Sequence, residues 1–406
     1  MIKRVLGVAL GLVIAAAAGF AEERITRVGD VPVPEVPEVK AKRANGVVTA
    51  EEWAAYYPEI AASLKMDEEN TDRVKYTETD PDITILYDGM GFSFDYTSAI
   101  GHAYTLQDIA ETTRPHKLAN CLTCKTPDFT ALVNQMGVSA YGIDFNEAYA
   151  MASESVTCYE CHANTPGTLV ITHDYTRNAI ADEVAAGTID AANAVCAQCH
   201  TEYTFAAPNK QTTVPWYDVP SMHPDAILAL ENKVGYTDYT NENTGTKMIK
   251  VQHPEMETFL GEGSVHAGTF NCADCHMGVA YSENGTAYVN HHLTSPLNNP
   301  QLLQDTCSAC HADLAAEVAA IQAHVTAREK EVSAKLVQLN AGLAKLVASG
   351  AKTEEELDAI RSVNHDAQFY WDFVYVENSE GAHNSKLSDY CLDKAEELCD
   401  QAMKML

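Results

Sequence analysis

The sequence predicts a mostly α chain in two parts: a central region moulded around covalently held groups, and a C-terminal region of long helices. Three observations predict it. Five Cys-x-x-Cys pairs fall between Cys121 and Cys310 in a chain of 406 residues. Between Cys121 and His311 no helical or strand period is sustained, as expected where side chains answer to a bound group rather than to one another. After His311, Leu314, Val318, Ile321, Val325, Val332, Leu336, Leu339, Leu343 and Leu346 recur mostly at intervals of three and four, the seam of a long helix.

From the N-terminus, Lys3 and Arg4 precede an uncharged run, Val5 to Ala21, with small residues at Gly19 and Ala21. This is an export signal over 1–21, short for a membrane span of about 20 residues; it is cleaved after Ala21 or kept as an anchor. Residues 22–47 form an extended, proline-spaced linker. Thr49-Ala50-Glu51-Glu52 is a capping box opening a short helix through Trp53 and Tyr57. Residues 86–113 are loop-rich, with Gly89, Gly91, Gly101 and His102. Residues 48–311 form the central region and 312–406 the C-terminal part of the same domain. Ser349-Gly350 ends the long helix, Thr353-x-x-Glu356 caps a second through Ile360, Phe369, Trp371 and Phe373, and a last helix covers about Leu387 to Met403. The apolar seam fits either intramolecular packing or a dimer interface.

Four of the five pairs are followed at once by His: Cys158-x-x-Cys161-His162, Cys196-x-x-Cys199-His200, Cys272-x-x-Cys275-His276 and Cys307-x-x-Cys310-His311. Cys-x-x-Cys-His is the attachment signature of c-type haem, with two thioethers to the porphyrin and the His reaching the iron. Zinc sites instead bring two Cys pairs to one tetrahedron. The first pair, Cys121-Leu122-Thr123-Cys124, is followed by Lys125. Five haems are expected.

A low-spin electron-transfer haem takes two protein ligands. Of 15 His, four are proximal, which leaves eleven for four distal positions. Lys125 is either the ligand of a chemically distinct haem, a departure at a haem ligated in the ordinary way, or part of a pair without haem. An amine binds iron only after losing its proton, which burial and a ferric ion favour. A haem so ligated suggests an open opposite face for a substrate. Arg114, seven residues before Cys121, is a permanently charged candidate to hold an anion, although a lone Arg on a loop equally fits a solvated residue. Cys391 and Cys399, outside the motifs, lie eight apart, about 12 Å along a helix. That separation is too great for a mutual disulfide and leaves free thiols or partner contacts.

Net charge is −30, from 27 basic and 57 acidic residues. It argues against nucleic acid and anionic membrane surfaces as partners, and an anionic substrate then needs a locally positive entrance. No other stretch is long and apolar enough to span a bilayer, so a membrane link would run through a partner.

From about Val48 to His383 the sequence resembles the pentahaem, ammonia-forming cytochrome c nitrite reductases. The resemblance rests on Gly101-His102-Ala103-Tyr104 with Asp108 and Thr113-Arg114, on Cys121–Lys125, on Cys196–Tyr203, on Lys250-Val251-Gln252-His253-Pro254-Glu255, and on Glu377–Asn384. It implies that Lys125 is the proximal ligand of the active haem, with Arg114, Tyr203 and His253 around its distal face. Taken alone, Tyr203 and His253 fit a haem-packing Tyr and a core His. It implies His102 as distal ligand of the third haem, His291 of the second, His383 of the fourth and His266 of the fifth. That leaves His116, His173, His223, His292, His324 and His365 as structural or surface residues. It implies one calcium ion held by Glu202, Gln252 and the carbonyls of Tyr203 and Lys250. The implied activity is six-electron reduction of nitrite to ammonium in anaerobic respiration, in a periplasmic homodimer packed through the long C-terminal helices. A quinol-oxidising membrane cytochrome or a soluble carrier would donate the electrons. Leu122 stands where the family often has Trp, the connection from Arg114 to Cys121 is short, and the region after His383 is compact. The alternatives are an electron-transfer cytochrome and a reductase acting on hydroxylamine or sulfite.

Overall fold

The computed structural model describes residues 27–207 and 209–406; the export signal expected over 1–21 lies outside them. The described residues are mostly helical, and the strands among them form three separate two-stranded antiparallel hairpins. Three helices dominate the C-terminal region: Leu314–Ser349, Glu354–Tyr375 and Ser385–Met405. The first starts at the Asp313 cap and ends where Gly350 turns left-handed at φ 62°. The second opens on the capping box of Thr353 and Glu356, as the sequence predicts.

The apolar seam is consumed within the chain. Val325, Val332, Leu336, Leu339 and Leu343 are buried, packed on the two following helices with Phe369, Trp371, Phe373, Leu387, Leu392 and Ala402. Of the two uses open to the seam, the structure shows the intramolecular one. Cys391 and Cys399 are fully buried in the same packing and unbridged, so they are core thiols and not partner contacts.

This helical wall joins the central region through one continuous core that includes Ile83, Leu86, Tyr87, Trp216, Ile227, Tyr239, Met248 and Val251. A second core surrounds the first Cys pair with Ile109, Ala119, Leu122, Phe129, Tyr141 and Phe145. Leu122 is fully buried there.

Residues 27–47 contain one short turn of helix, Val28–Asp30, and are otherwise without regular structure. They run as a strap along the surface. The Val28 N–H donates to Asp274, Arg27 lies over the Phe270 ring, and the Tyr57 hydroxyl donates to the Pro34 carbonyl. The loop-rich stretch 86–113 contains a helix that the sequence did not reveal, Thr105–Glu111, which carries the chain from His102 to Arg114.

Each hairpin delivers a predicted site residue. Thr204–Ala206 pairs with Gln211–Thr213 and starts one residue after Tyr203. Tyr239–Thr240 pairs with Lys247–Met248 and leads into Lys250. Val279–Tyr281 pairs with Ala287–Val289 and ends two residues before His291. The strands escape a period search because they are two or three residues long.

Candidate haem-binding and active site

One cavity of about 2520 Å³ runs through the central region and is lined by all ten motif cysteines. That is several times the roughly 300–1,000 Å³ of a single small-molecule site. Cysteines of different motifs lie beside one another: Cys124 by Cys199, Cys161 by Cys196, Cys196 by Cys272, and Cys275 by Cys307. The third motif therefore borders the first, second and fourth, and the fourth borders the fifth.

The His pairs have the spacing of ligands to a shared metal. Ring centres lie 6.3 Å apart for His162 and His291, 6.2 Å for His200 and His102, 5.9 Å for His276 and His383, and 6.0 Å for His311 and His266. Two metal–nitrogen bonds of about 2 Å plus two ring radii of roughly 1.1 Å give about 6 Å between centres. Five of the eight far nitrogens are prepared for this. Nδ1 of His162, His276 and His291 faces the carbonyls of Thr168, Thr294 and Val289 at 2.9, 3.0 and 2.9 Å. Nδ1 of His311 and His383 faces Glu317 and Glu377 at 2.8 and 2.7 Å. An acceptor at Nδ1 holds the proton there and leaves Nε2 as a ligand. His291, rather than His292, faces His162; its N–H donates to Ser63 and that of Leu293 to Asp67, which fixes this extended segment.

Lys125 stands where the other motifs have His, and it is the one of the five motif residues outside these His pairs. The Thr105 hydroxyl donates to its carbonyl at 2.7 Å, tying it to the helix that leads toward Arg114. Arg114, Lys125, Tyr203 and His253 all line the cavity. Burial, together with the Cys124 and Cys121 sulfurs, pushes the Tyr203 phenol well above its ordinary pKa, against the pull of Arg114. Burial brings His253 down to about 4; Glu255 opposes this, and the Lys125 charge adds to it. His253 Nδ1 is buried without a hydrogen-bond partner in the protein.

A second polar site adjoins this one. Glu202 is fully buried, and its Oε1 has no partner. Its Oε2 accepts from the Gln252 backbone N–H, and the Gln252 side-chain amide lies 2.7 Å from the Lys250 carbonyl. Hydrogen bonds thus link Glu202, Gln252 and the Lys250 carbonyl, and Tyr203 follows Glu202 in the chain. Buried carboxylates at Glu231, Glu257 and Asp238 raise the Glu202 pKa further after burial itself. Both Glu231 oxygens are buried without partners. Oxygen donors with surplus negative charge suit a hard cation. No group of three or more His, Cys, Asp or Glu side chains converges on a metal-sized point among the described residues. The predicted set differs from such a group, having one carboxylate, one amide and two carbonyls. Glu231 and Asp238 were not predicted; each is an ordinary acid in the sequence until the fold buries it.

Among the remaining His, His173 is buried and lies 3.0 Å from Glu160, while Thr172 and the His173 backbone hold Gln198. Glu160 and Gln198 are interior residues of the second and third motifs, so this network braces two Cys pairs together. His324 pairs with Asp389, and His365 contacts the Lys247 carbonyl. His223 caps the helix Pro224–Val234.

A family model described as cytochrome c552 matches residues 49–406. The structure of the catalytic subunit of a cytochrome c nitrite reductase from Desulfovibrio desulfuricans, described with two calcium sites, superposes with a TM-score of 0.78 at 23% identity. The match covers 90% of this chain and 87% of that one. An outer cell wall cytochrome, OcwA, matches with a TM-score of 0.40 at 20% identity, covering 74% of this chain and 48% of the other. An undecahaem S-layer cytochrome of Carboxydothermus ferrireducens gives 0.38 at 18%, covering 75% and 41%.

Proposed function

The chain belongs to the cytochrome c552 family, and from that premise we propose an exported, periplasmic five-haem enzyme reducing nitrite to ammonium on the Lys125 side of its cavity. One observation carries the proposal: four motif His each stand at ligand spacing from a second His ring, whereas Lys125, the fifth motif residue, belongs to no such pair. The haems would supply the electrons and one iron open to an anion.

Reduction of nitrite to ammonium consumes six electrons and eight protons, breaks two N–O bonds and releases two waters. The residues near Lys125 suit the parts the protein must play. The Arg114 guanidinium, with two terminal amino groups, matches the two oxygens of nitrite. His253, neutral at pH 7, carries one donor and one acceptor nitrogen and can pass protons to departing oxygens. The Tyr203 phenol, held protonated, is a further donor to partly reduced species. Lys117 lines the same cavity as Arg114 and adds positive charge along the anion's approach within an acidic protein. Glu202, Gln252 and the carbonyls of Lys250 and Tyr203 would hold one calcium ion, fixing the segments that carry Tyr203 and His253. The neighbour described with calcium sites supports that reading. The electron donor would be a quinol-oxidising membrane cytochrome or a soluble carrier. The dimer expected from the family would use surfaces outside the buried seam.

Electron paramagnetic resonance of the oxidised holoprotein tests the proposal. One high-spin ferric centre per chain, altered by added nitrite, is expected. Uniformly low-spin iron that ignores nitrite would leave only an electron-transfer cytochrome.

A further inference from the structure

Arg114 lies in a cradle built from the glycine-rich stretch 86–113. Its aliphatic stem rests on Gly91, where an added Cβ would sit 3.3 Å from Arg114 Cγ and 3.4 Å from its Cβ. Its guanidinium carbon is 4.4 Å from the centre of the Phe92 ring. Its Nε–H donates to Thr112 Oγ1 at 2.9 Å, and the Thr112 hydroxyl donates to Asp95 at 2.8 Å. The stem, the plane and the inner nitrogen are thus each held. Among the described residues the two terminal nitrogens have no protein hydrogen-bond partner, and the side chain lines the cavity.

The ring under the guanidinium is itself fixed. Phe92 packs edge-on against Tyr96 at 4.8 Å and contacts Tyr87 at 6.5 Å. Tyr87 is fully buried and anchored through its hydroxyl to Asp372. A ring that was free to swing could not fix a plane, but this one is wedged by two others.

We propose that Phe92 is a positioning residue that sets the affinity of the site for anionic substrate by holding the Arg114 plane so that both terminal amino groups face the cavity. The inference rests on the proposed nitrite chemistry for its substrate, but the cradle is its own observation. Two-oxygen recognition depends on the orientation of the guanidinium plane. An arginine held before binding loses less rotamer freedom when the anion arrives.

The test uses the holoenzyme with Phe92→Leu and Phe92→Tyr, assayed with nitrite and with hydroxylamine, which is mostly uncharged at pH 7. Loss of a cation–ring contact predicts a rise in KM for nitrite of about threefold to thirtyfold in Phe92→Leu. Its kcat and its KM for hydroxylamine stay within about twofold, because no charge on that substrate needs the plane. Phe92→Tyr, which keeps the ring, returns the nitrite KM to near the parent value. Thr112→Val removes the hold on Nε and raises the nitrite KM selectively, even if Phe92→Leu does not assemble. Equal rises for both substrates would mean a deformed cavity and overturn the proposal, as would an unchanged nitrite KM in Phe92→Leu or, if that variant fails to assemble, in Thr112→Val. A parent enzyme without nitrite turnover would instead refute the proposed function; parent turnover with unchanged variants would refute only the role of Phe92.

Discussion

Removing the charge of Asp372 tests how the segment leading to His253 is held. Asp372 and Lys250 are buried to 0% and 1% exposure, with Oδ1 3.3 Å from Nζ. Asp372 also accepts from the Val251 N–H at 2.9 Å and from Tyr87. Lys250 donates to the Val251 carbonyl at 2.6 Å, with the Tyr87, Phe92 and Tyr96 ring centres 4.9, 5.6 and 5.7 Å away. Asp372→Asn keeps the shape and leaves an ammonium buried without its counter-ion, a loss of about 3–5 kcal/mol. The aromatic box offsets up to about 2 kcal/mol of this. The net is about 1–5 kcal/mol, or roughly 1–10 °C in Tm when the usual scaling is extended to a chain this long. Thermal unfolding of the oxidised holoprotein measures it, alongside Lys250→Met and the double variant. The double variant should melt above Asp372→Asn, because no unpaired charge remains, and the cycle should show a coupling of more than about 1 kcal/mol. Additive effects, or Asp372→Asn melting with the parent, would refute the reasoning.

Three further outcomes are expected. Burial, with Glu380 and Glu377 nearby, lifts Glu329 to about 8. A folded-state pKa above the unfolded one gives stability that is complete below the unfolded value and lost as pH rises through about 8. Glu329→Gln should therefore gain on the parent in denaturant melts between about pH 4.5 and 8 and hold a constant lead above that; a pH-independent difference would contradict the assignment. Glu202→Gln should lose bound calcium, measured by elemental analysis, and retention of a full equivalent would show the ion to lie elsewhere. In calcium-free protein the raised Glu202 pKa makes stability fall as pH rises, and melts of chelator-treated protein across pH check that sign. Lys125→His should lower nitrite turnover roughly tenfold or more, and unchanged turnover would remove the amine from the mechanism.

The haem framework was legible because covalent attachment demands a fixed spacing: Cys, two residues, Cys and then the ligand are adjacent in the chain. The C-terminal helices were legible from period and caps, and Thr353, Glu356 and Gly350 mark their ends as expected. The distal His residues were not readable from the residues alone, since His102 lies 98 positions from His200 and His383 lies 107 from His276. Only the resemblance paired them, and the ring spacings match that pairing. The site at Glu202 was half legible: Glu231 and Asp238 come to it through the fold and leave no local signature. Phe92 was hidden for a similar reason. Its stretch reads as a glycine-rich loop, and nothing in it shows that a ring there meets an arginine 22 residues later.

Nitrite turnover with reduced viologen, counting electrons and ammonium together, tests the central claim most directly. Six viologen equivalents oxidised per nitrite, with ammonium as the product, are predicted for a site where Arg114, Tyr203 and His253 share an open iron with Lys125. Viologen oxidised by the haems alone, with nitrite left intact, would contradict it.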